Sequence, residues 1–316
     1  MREYIIKRIL LVIPTLLGMA AVVFFLIRLI PGDAVLLMMA ESANVDQAQI
    51  ELMRQQLGLD KPAYLQFFIW LSGVLQGDLG RSVWAEVPVS WEIAQRLPIT
   101  VQLMLMALII SLLIAIPVGM ISAVKQDTLT DYVLRFCSIL GLSVPNFWLA
   151  IVVVVVPSIL FLWTPQMGYI PLTQDPLANL GQMIFPAGVL GISLSASVMR
   201  ITRSALLEVL RQDYIRTAWA KGLAHRAVVL KHALKNSMIP IASLVGIQMG
   251  FLLGGSVLIE QIFALPVLGR LVLDAIRQRD YPLMQGAILF IALGYTLINL
   301  AVDLFYSWMD PRIRYE

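Results

Sequence analysis

Long apolar runs alternate with shorter polar stretches along the whole chain. Six of the runs approach or exceed the roughly 20 residues that a helix needs to cross a bilayer. They cover about residues 9–30, 101–124, 132–163, 183–199, 239–259 and 283–306. The third run is the longest and holds Pro145 and Pro157, which predicts a kink or a re-entrant end. The fourth is the most dilute, because Ser193, Ser195, Ser197 and glycines interrupt it. Lys7 and Arg8 stand before the first run as they would before a signal peptide. That run exceeds the usual 7–15 residues of a signal core, however, and no clean cleavage site follows it. The predicted fold class is therefore all-α: a polytopic membrane protein with six transmembrane helices.

Composition narrows the function classes. The 316 residues are 59% hydrophobic and 14% charged, with a mean hydropathy of +0.83. Soluble domains run at about 45–50% apolar and about 25% charged. Disorder, a collagen-like fibre and a disulfide scaffold are excluded, and an ordinary soluble enzyme is disfavoured. Cys137 is the one cysteine, so no intrachain disulfide can form.

The distribution of charge matters more than its sum of +3. Arg2, Lys7 and Arg8 precede the first span. Residues 31–98 carry four basic and eight acidic side chains, which puts them outside. Residues 200–235 carry eight basic and two acidic ones, which puts them in the cytoplasm. The loop 260–282 balances three against three and reads as a turn at Pro266 and Gly269 followed by a short helix. Both termini are expected inside, in agreement with an even number of spans. The outer segment holds Trp70, Trp84 and Trp91, which suit a membrane interface.

The inner loop is the most informative stretch. Its periodicity predicts a helix from Ala205 to Lys221, with Tyr214, Thr217, Ala218 and Lys221 on one face. Gly222 stands where a left-handed residue would end that helix. A second amphipathic helix is expected over about 224–236. A hairpin of helices with small residues at its tip suits docking into a groove on a partner. Two plainer readings compete: positive-inside charges with no further role, and a DNA-binding helix-turn-helix. The second is disfavoured because spans abut both helices and hold them at the headgroups.

Here the chain resembles the binding-protein-dependent ABC importer permeases. The run Asp213-Tyr214-Ile215-Arg216-Thr217-Ala218-Trp219-Ala220-Lys221-Gly222 is similar to their "EAA" loop, and His232 to Asn236 through Pro240 to its continuation. The version resembles that of the dipeptide/oligopeptide family, first permease subunit. Further family-like stretches are Ile30-Pro31-Gly32-Asp33, Gln56 to Asp60, Gly77-Asp78-Leu79-Gly80, Ser143-Val144-Pro145, Arg279-Asp280-Tyr281-Pro282 and Asp310 to Arg314. Trp219 and Lys235 depart from the general pattern, which has a basic residue and a proline in those places.

The resemblance implies the type I importer permease fold. It divides the chain into an N-terminal segment with the first span (1–30), a periplasmic segment (31–98), a permease core (99–306) and a cytoplasmic tail (307–316). The core would contain the coupling loop 200–236 and the periplasmic loop 260–282. Asp213, Tyr214, Arg216, Thr217, Ala218, Lys221 and Gly222 would form the ATPase-coupling site. The implied partners are a second, homologous permease in a heterodimer, two ATP-binding cassette subunits, and a periplasmic or lipid-anchored substrate-binding protein. The chain would sit in lipid, in the bacterial inner membrane, with no nucleic acid. Peptides are the implied substrate class; nickel complexes, glutathione and oligosaccharides are the alternatives within the same importer type.

The residues bear on the energy source independently. No GxxxxGK[ST] loop is present to cradle ATP phosphates. No paired catalytic carboxylates stand out, and His225 and His232 lack neighbours at metal-ligand spacing. The expectation is no catalytic residue, metal or cofactor in this chain, with ATP and Mg on the partner subunits. Arg28, Glu260 and Asp303 lie near predicted span ends. The absence of a mid-membrane acid argues against the rival class, a stand-alone carrier or pore. Candidates for the translocation path are Ser143, Asn146, Ser193, Ser197, Gln248 and Ser256. The competing reading is hydrogen bonding between packed helices, and it is the favoured one for any single residue.

Overall fold

The computed structural model describes residues 2–29 and 60–309. The stretches Ile30 to Asp33, Gln56 to Leu59 and Asp310 to Arg314 lie outside the described residues, as do most of the outer segment before residue 60 and of the tail after 309. Among the described residues there is no strand, only an isolated bridge between Arg81 and Pro88.

Among the described residues, five helices are long and apolar enough to cross a membrane, and six spans result if one bent pair counts as one. The chain divides into two compact units: residues 1–99 with 267–297, and 100–266 with 298–316. The loop after Pro266 groups with the first unit.

In the first unit, α1 (Arg2–Arg28) is followed by α2 (Ala63–Leu75) and by the start of α3 (Val89–Val124). Phe24 of α1 meets Phe67 and Trp70 of α2 at 5.3 and 5.6 Å between ring centroids. Arg28 lies 3.5 Å over the Phe24 ring and donates from Nε to Gln66 at 3.1 Å. Ile27, Val89, Ile93, Leu268, Leu271 and Met284 form the core of this unit.

In the second unit, α3 continues to Val124 and α4 (Leu129–Ser143) leads to α5 (Asn146–Phe161). These two are the third predicted span, bent by 92° at the break. The expected kink is thus a full break at Pro145, which cannot donate a helical hydrogen bond and disfavours helix in Val144 before it. Pro157 remains inside α5.

The fourth span is α6 (Pro176–Leu210), far longer than residues 183–199. Asp175 caps its start, accepting from the backbone N–H groups of Leu177 and Ala178 at 3.1 and 3.0 Å. Gly191 marks a close crossing with α3: a Cβ there would lie 2.7 Å from the Ala107 carbonyl oxygen.

After α7 (Asp213–Ala220), the fifth span is α8 (His225–Leu253), with a π-helical turn over Val228–Ala233. It begins well before residue 239 and stops at Leu253, ahead of Gly254-Gly255, instead of reaching residue 259. A short helix α9 (Val257–Ile262) follows. In the first unit again, α10 (Leu268–Gln278) bears out the short helix expected in the outer loop. The last helix, α11 (Tyr281–Met309), is the sixth span.

Candidate functional site

Residues 200–236 fold as the end of α6, all of α7 and the start of α8. The single helix predicted from Ala205 to Lys221 is in fact two. α6 ends at Leu210, Arg211 and Gln212 form the bend, and α7 begins at Asp213. Ile215 is fully buried and Ala218 nearly so, against Leu206, Val228, Val229, Ala233 and Ala123. Burial of this one apolar face decides the break, because a straight continuation of α6 would carry both residues away from it.

Asp213, Tyr214, Arg216, Thr217, Lys221 and Gly222 are exposed, whereas Ala218 faces inward and belongs to the packing. The seven coupling candidates therefore separate into an outward polar set and a seat. Thr217 Oγ donates to the Asp213 carbonyl at 3.0 Å, and Arg216 pairs with Asp213 at 3.3 Å. Asn236 of α8 donates to the Tyr214 hydroxyl at 2.8 Å. Trp219 stacks on His225 with planes 5° apart and centroids 6.5 Å apart.

The end of α7 is closed by two crossed bonds. Gly222 N–H donates to the Trp219 carbonyl at 2.9 Å, and Leu223 N–H to Ala218 at 3.4 Å. This is a Schellman motif, and Gly222 takes its left-handed position at φ 75°. The cap read from the sequence is the one the chain forms.

In the same unit, a buried carboxylate joins three helices. Asp131 of α4 is fully buried. Arg203 of α6 donates to it from two nitrogens at 2.8 and 2.7 Å, in the fork geometry favoured by guanidinium and carboxylate. Ser122 of α3 donates at 2.5 Å and the Asp127 N–H at 3.1 Å. Sequence reasoning missed this clasp. Its members lie 9 and 72 residues from Asp131, and no spacing rule pairs them.

The path candidates are scattered. Ser193 of α6 donates to Asn146 of α5. Gln248 of α8 donates to Ser197 of α6 at 2.8 Å and to the Leu194 carbonyl at 3.3 Å. Ser143 bonds its own helix at Ile139. Ser256 is half-buried at the start of α9 and makes no side-chain cap bond. Ser193–Asn146 and Gln248–Ser197 tie helices together. Outside that set, Ser138 does the same, donating to the Ala196 carbonyl at 2.9 Å. Glu260, placed near a span end by the sequence, is buried.

What this arrangement offers is mechanical. A short helix presents a polar face on a rigid apolar seat, and a buried ion pair links the seat to α3 and α4.

Comparison with known proteins bears on the family and the fold. Residues 115–315 match the family described as the binding-protein-dependent transport system inner membrane component. Residues 1–104 match that family's N-terminal membrane component domain. The dipeptide transport system permease protein DppB of Escherichia coli (strain K12) is 38% identical over 339 aligned positions, covering all of both chains. The glutathione transport system permease protein GsiC of Escherichia coli O6:H1 is 40% identical over 316, again covering all of both. A chain of the MetNI methionine ABC transporter, solved in inward-facing conformations, superposes with a TM-score of 0.58 at 15% identity. The match covers 70% of this chain and 97% of that one, and it shows a shared fold.

Proposed function

The chain belongs to the family of binding-protein-dependent transport system inner membrane components, and from that premise we propose that it imports di- and oligopeptides across the bacterial inner membrane. It is a multi-pass membrane protein and a transport permease subunit, not itself an enzyme. It forms half of the path, and a second homologous permease supplies the other half. Two ATP-binding cassette subunits bind ATP and Mg below, and a periplasmic or lipid-anchored binding protein delivers substrate from outside. Both termini face the cytoplasm, as the eight basic residues over 200–235 require.

The observation that carries this reading is the seated, capped helix α7. Asp213, Tyr214, Arg216, Thr217 and Lys221 present their polar atoms outward, while Ile215 and Ala218 fix the helix to the ends of α3, α6 and α8. A push on α7 by a closing ATPase pair passes through that seat into three spans. The Arg203–Asp131 clasp carries it on to α4 and so to the broken span. The result is alternating access driven by a two-state partner.

The peptide reading rests on the named activity of the DppB relative. The GsiC relative supports a second substrate, glutathione, which is itself a tripeptide. Reconstitution tests both. The chain is assembled with its companion permease, ATPases and binding protein in vesicles, and uptake of labelled dipeptide and glutathione is followed with and without ATP. Uptake that requires ATP and binding protein supports the importer. Uptake by the chain alone without ATP would establish the stand-alone carrier instead.

A further inference from the structure

A groove of about 500 Å³ lies in the second unit where α3 ends and α8 begins. Its walls are apolar: Pro117, Met120, Ile121 and Val124 on α3, and Val229 and Leu230 on α8. Its rim is basic: Lys125, His225 and Arg226. Ile121 and Leu230 leave 45% and 53% of their surface exposed, so the apolar wall lacks a cover among the described residues.

Position bears on what that cover is. α3, a candidate span by length and composition, stops at Val124, and Lys125 follows it. Ile121 and Val124 thus belong to the apolar end of α3, and the basic residues of the rim stand beyond it. The π-helical turn over Val228–Ala233 shapes the wall on the α8 side. It turns Val228, Val229 and Ala233 into the core and leaves Leu230 outward.

The charge is unbalanced as well. Among the described residues, neither Lys125 nor Arg226 has a carboxylate within ion-pair distance. The acids beside Lys125 are engaged elsewhere. Asp131 is held by Arg203, and Asp127 accepts from Gln126 at 3.1 Å. His225 is stacked on Trp219. Two free cations above an apolar slot match a phosphate above acyl chains.

We propose that this groove holds one anionic phospholipid of the inner leaflet. Its phosphate lies between Lys125 and Arg226, and its chains start along Ile121 and Val124. The proposal rests on the cytoplasmic placement of 200–235 given above. It makes the base of the coupling loop a lipid-dependent element, because His225 and Val229 belong at once to the groove and to the seat and stacking partner of α7.

Native mass spectrometry of the assembled complex tests it, with phosphatidylglycerol and phosphatidylcholine as probes. The comparison is between the wild type and the Lys125→Gln/Arg226→Gln double variant. Both side chains are exposed, so the variant keeps the core. Each basic residue near a membrane surface contributes about fivefold to anionic lipid binding, so the pair predicts about a thirtyfold loss for phosphatidylglycerol and no change for phosphatidylcholine. Lys125→Arg/Arg226→Lys should retain the lipid. Equal phosphatidylglycerol retention by wild type and the Gln variant would overturn the proposal. So would shielding of Lys125 from an amine-reactive label in the lipid-stripped complex but not in the isolated chain, since the groove would then be covered by a protein partner. Lipid retention is read without transport. A wild type that retains phosphatidylglycerol selectively but fails in peptide uptake therefore faults the functional reading alone, and a wild type that takes up peptide but shows no selectivity over the Gln variant faults the lipid site alone.

Discussion

Two regions of this chain, one in each unit, are built from the same two devices and differ in how each is balanced. The platform around α7 and the segment around α10 both hold a fully buried aspartate, Asp131 and Asp280. Both end a helix with a Schellman motif. Asp131 faces a guanidinium, a hydroxyl and one N–H. Asp280 accepts from the Ser82 hydroxyl at 2.5 Å, the Val83 N–H at 2.9 Å and the Leu283 N–H at 3.1 Å, with no ion pair among the described residues. Asp280 also stands at the start of α11, where the helix dipole favours a negative charge. The Asp131 clasp is therefore a balanced pair that joins separate helices. The Asp280 clasp is a cap that pins a loop, aided by Trp84, which donates to the Gln278 carbonyl at 2.8 Å.

That difference predicts unequal costs. Arg203→Ala leaves a buried carboxylate without its cation, and breaking such a pair costs about 3–5 kcal/mol. Thermal unfolding of the purified chain in detergent should show the largest loss in this series. Replacing both partners, Asp131→Leu with Arg203→Met, should recover much of it, because no lone charge is left. A double variant as unstable as Arg203→Ala would break the comparison. Asp280→Ala removes an acceptor from three donors and should cost about 1–3 kcal/mol. Asp280→Asn, which keeps one acceptor oxygen, should cost less. A loss at Asp280 equal to that at Arg203 would mean that the Asp280 cap carries the same charge burden.

The two Schellman motifs sharpen the contrast with opposite signs. α7 places Gly222 in the left-handed position and α10 places Arg279 there, at φ 53°. Around Arg279 the same pair of bonds forms, Arg279 N–H to Ile276 at 3.2 Å and Asp280 N–H to Ala275 at 3.0 Å. A side chain in that region costs about 1–2 kcal/mol. Gly222→Val should lose roughly that much, although nothing lies within 4 Å of an added Cβ, so backbone strain is the whole effect. It should also separate ATP hydrolysis from uptake in the reconstituted complex while membrane insertion stays normal. Arg279→Gly should gain up to about 1 kcal/mol, reduced by the extra freedom of glycine in the unfolded chain. Normal uptake by a well-expressed Gly222→Val protein would sink the assignment of α7 as the coupling element.

The spans were legible because a bilayer imposes one requirement, a long apolar helix, that hydropathy alone reports. Their ends were not. The fourth span stops at Met199 in any hydropathy window, since Arg200 and Arg203 follow. The helix nevertheless continues to Leu210, because Arg203 turns into the Asp131 clasp and Arg200 is exposed. Gly222 and Pro145 could be read because each carries its own backbone rule. The bend at Arg211–Gln212 could not, because neither residue is a breaker and the turn is set by where Ile215 finds its pocket. Both aspartate clasps were invisible for the same reason: their partners come together only once the helices have packed.

The smallest stability effect belongs to the outward face of α7, and it is the most telling for function. Arg216 and Asp213 form an ion pair with 73% and 94% of their side chains exposed. Such a pair contributes little, so Arg216→Ala should shift unfolding by less than about 0.5 kcal/mol. Its partner in the folded chain is only another surface residue. If α7 docks through its polar face, the same substitution should lower co-purification with the ATPase subunits and reduce uptake, with stability unchanged. Arg203→Ala would instead lose stability and uptake together. An Arg216→Ala complex that assembles and transports at the wild-type rate would leave α7 a packed turn like α10, and the distinction between the two regions would reduce to the charge under each.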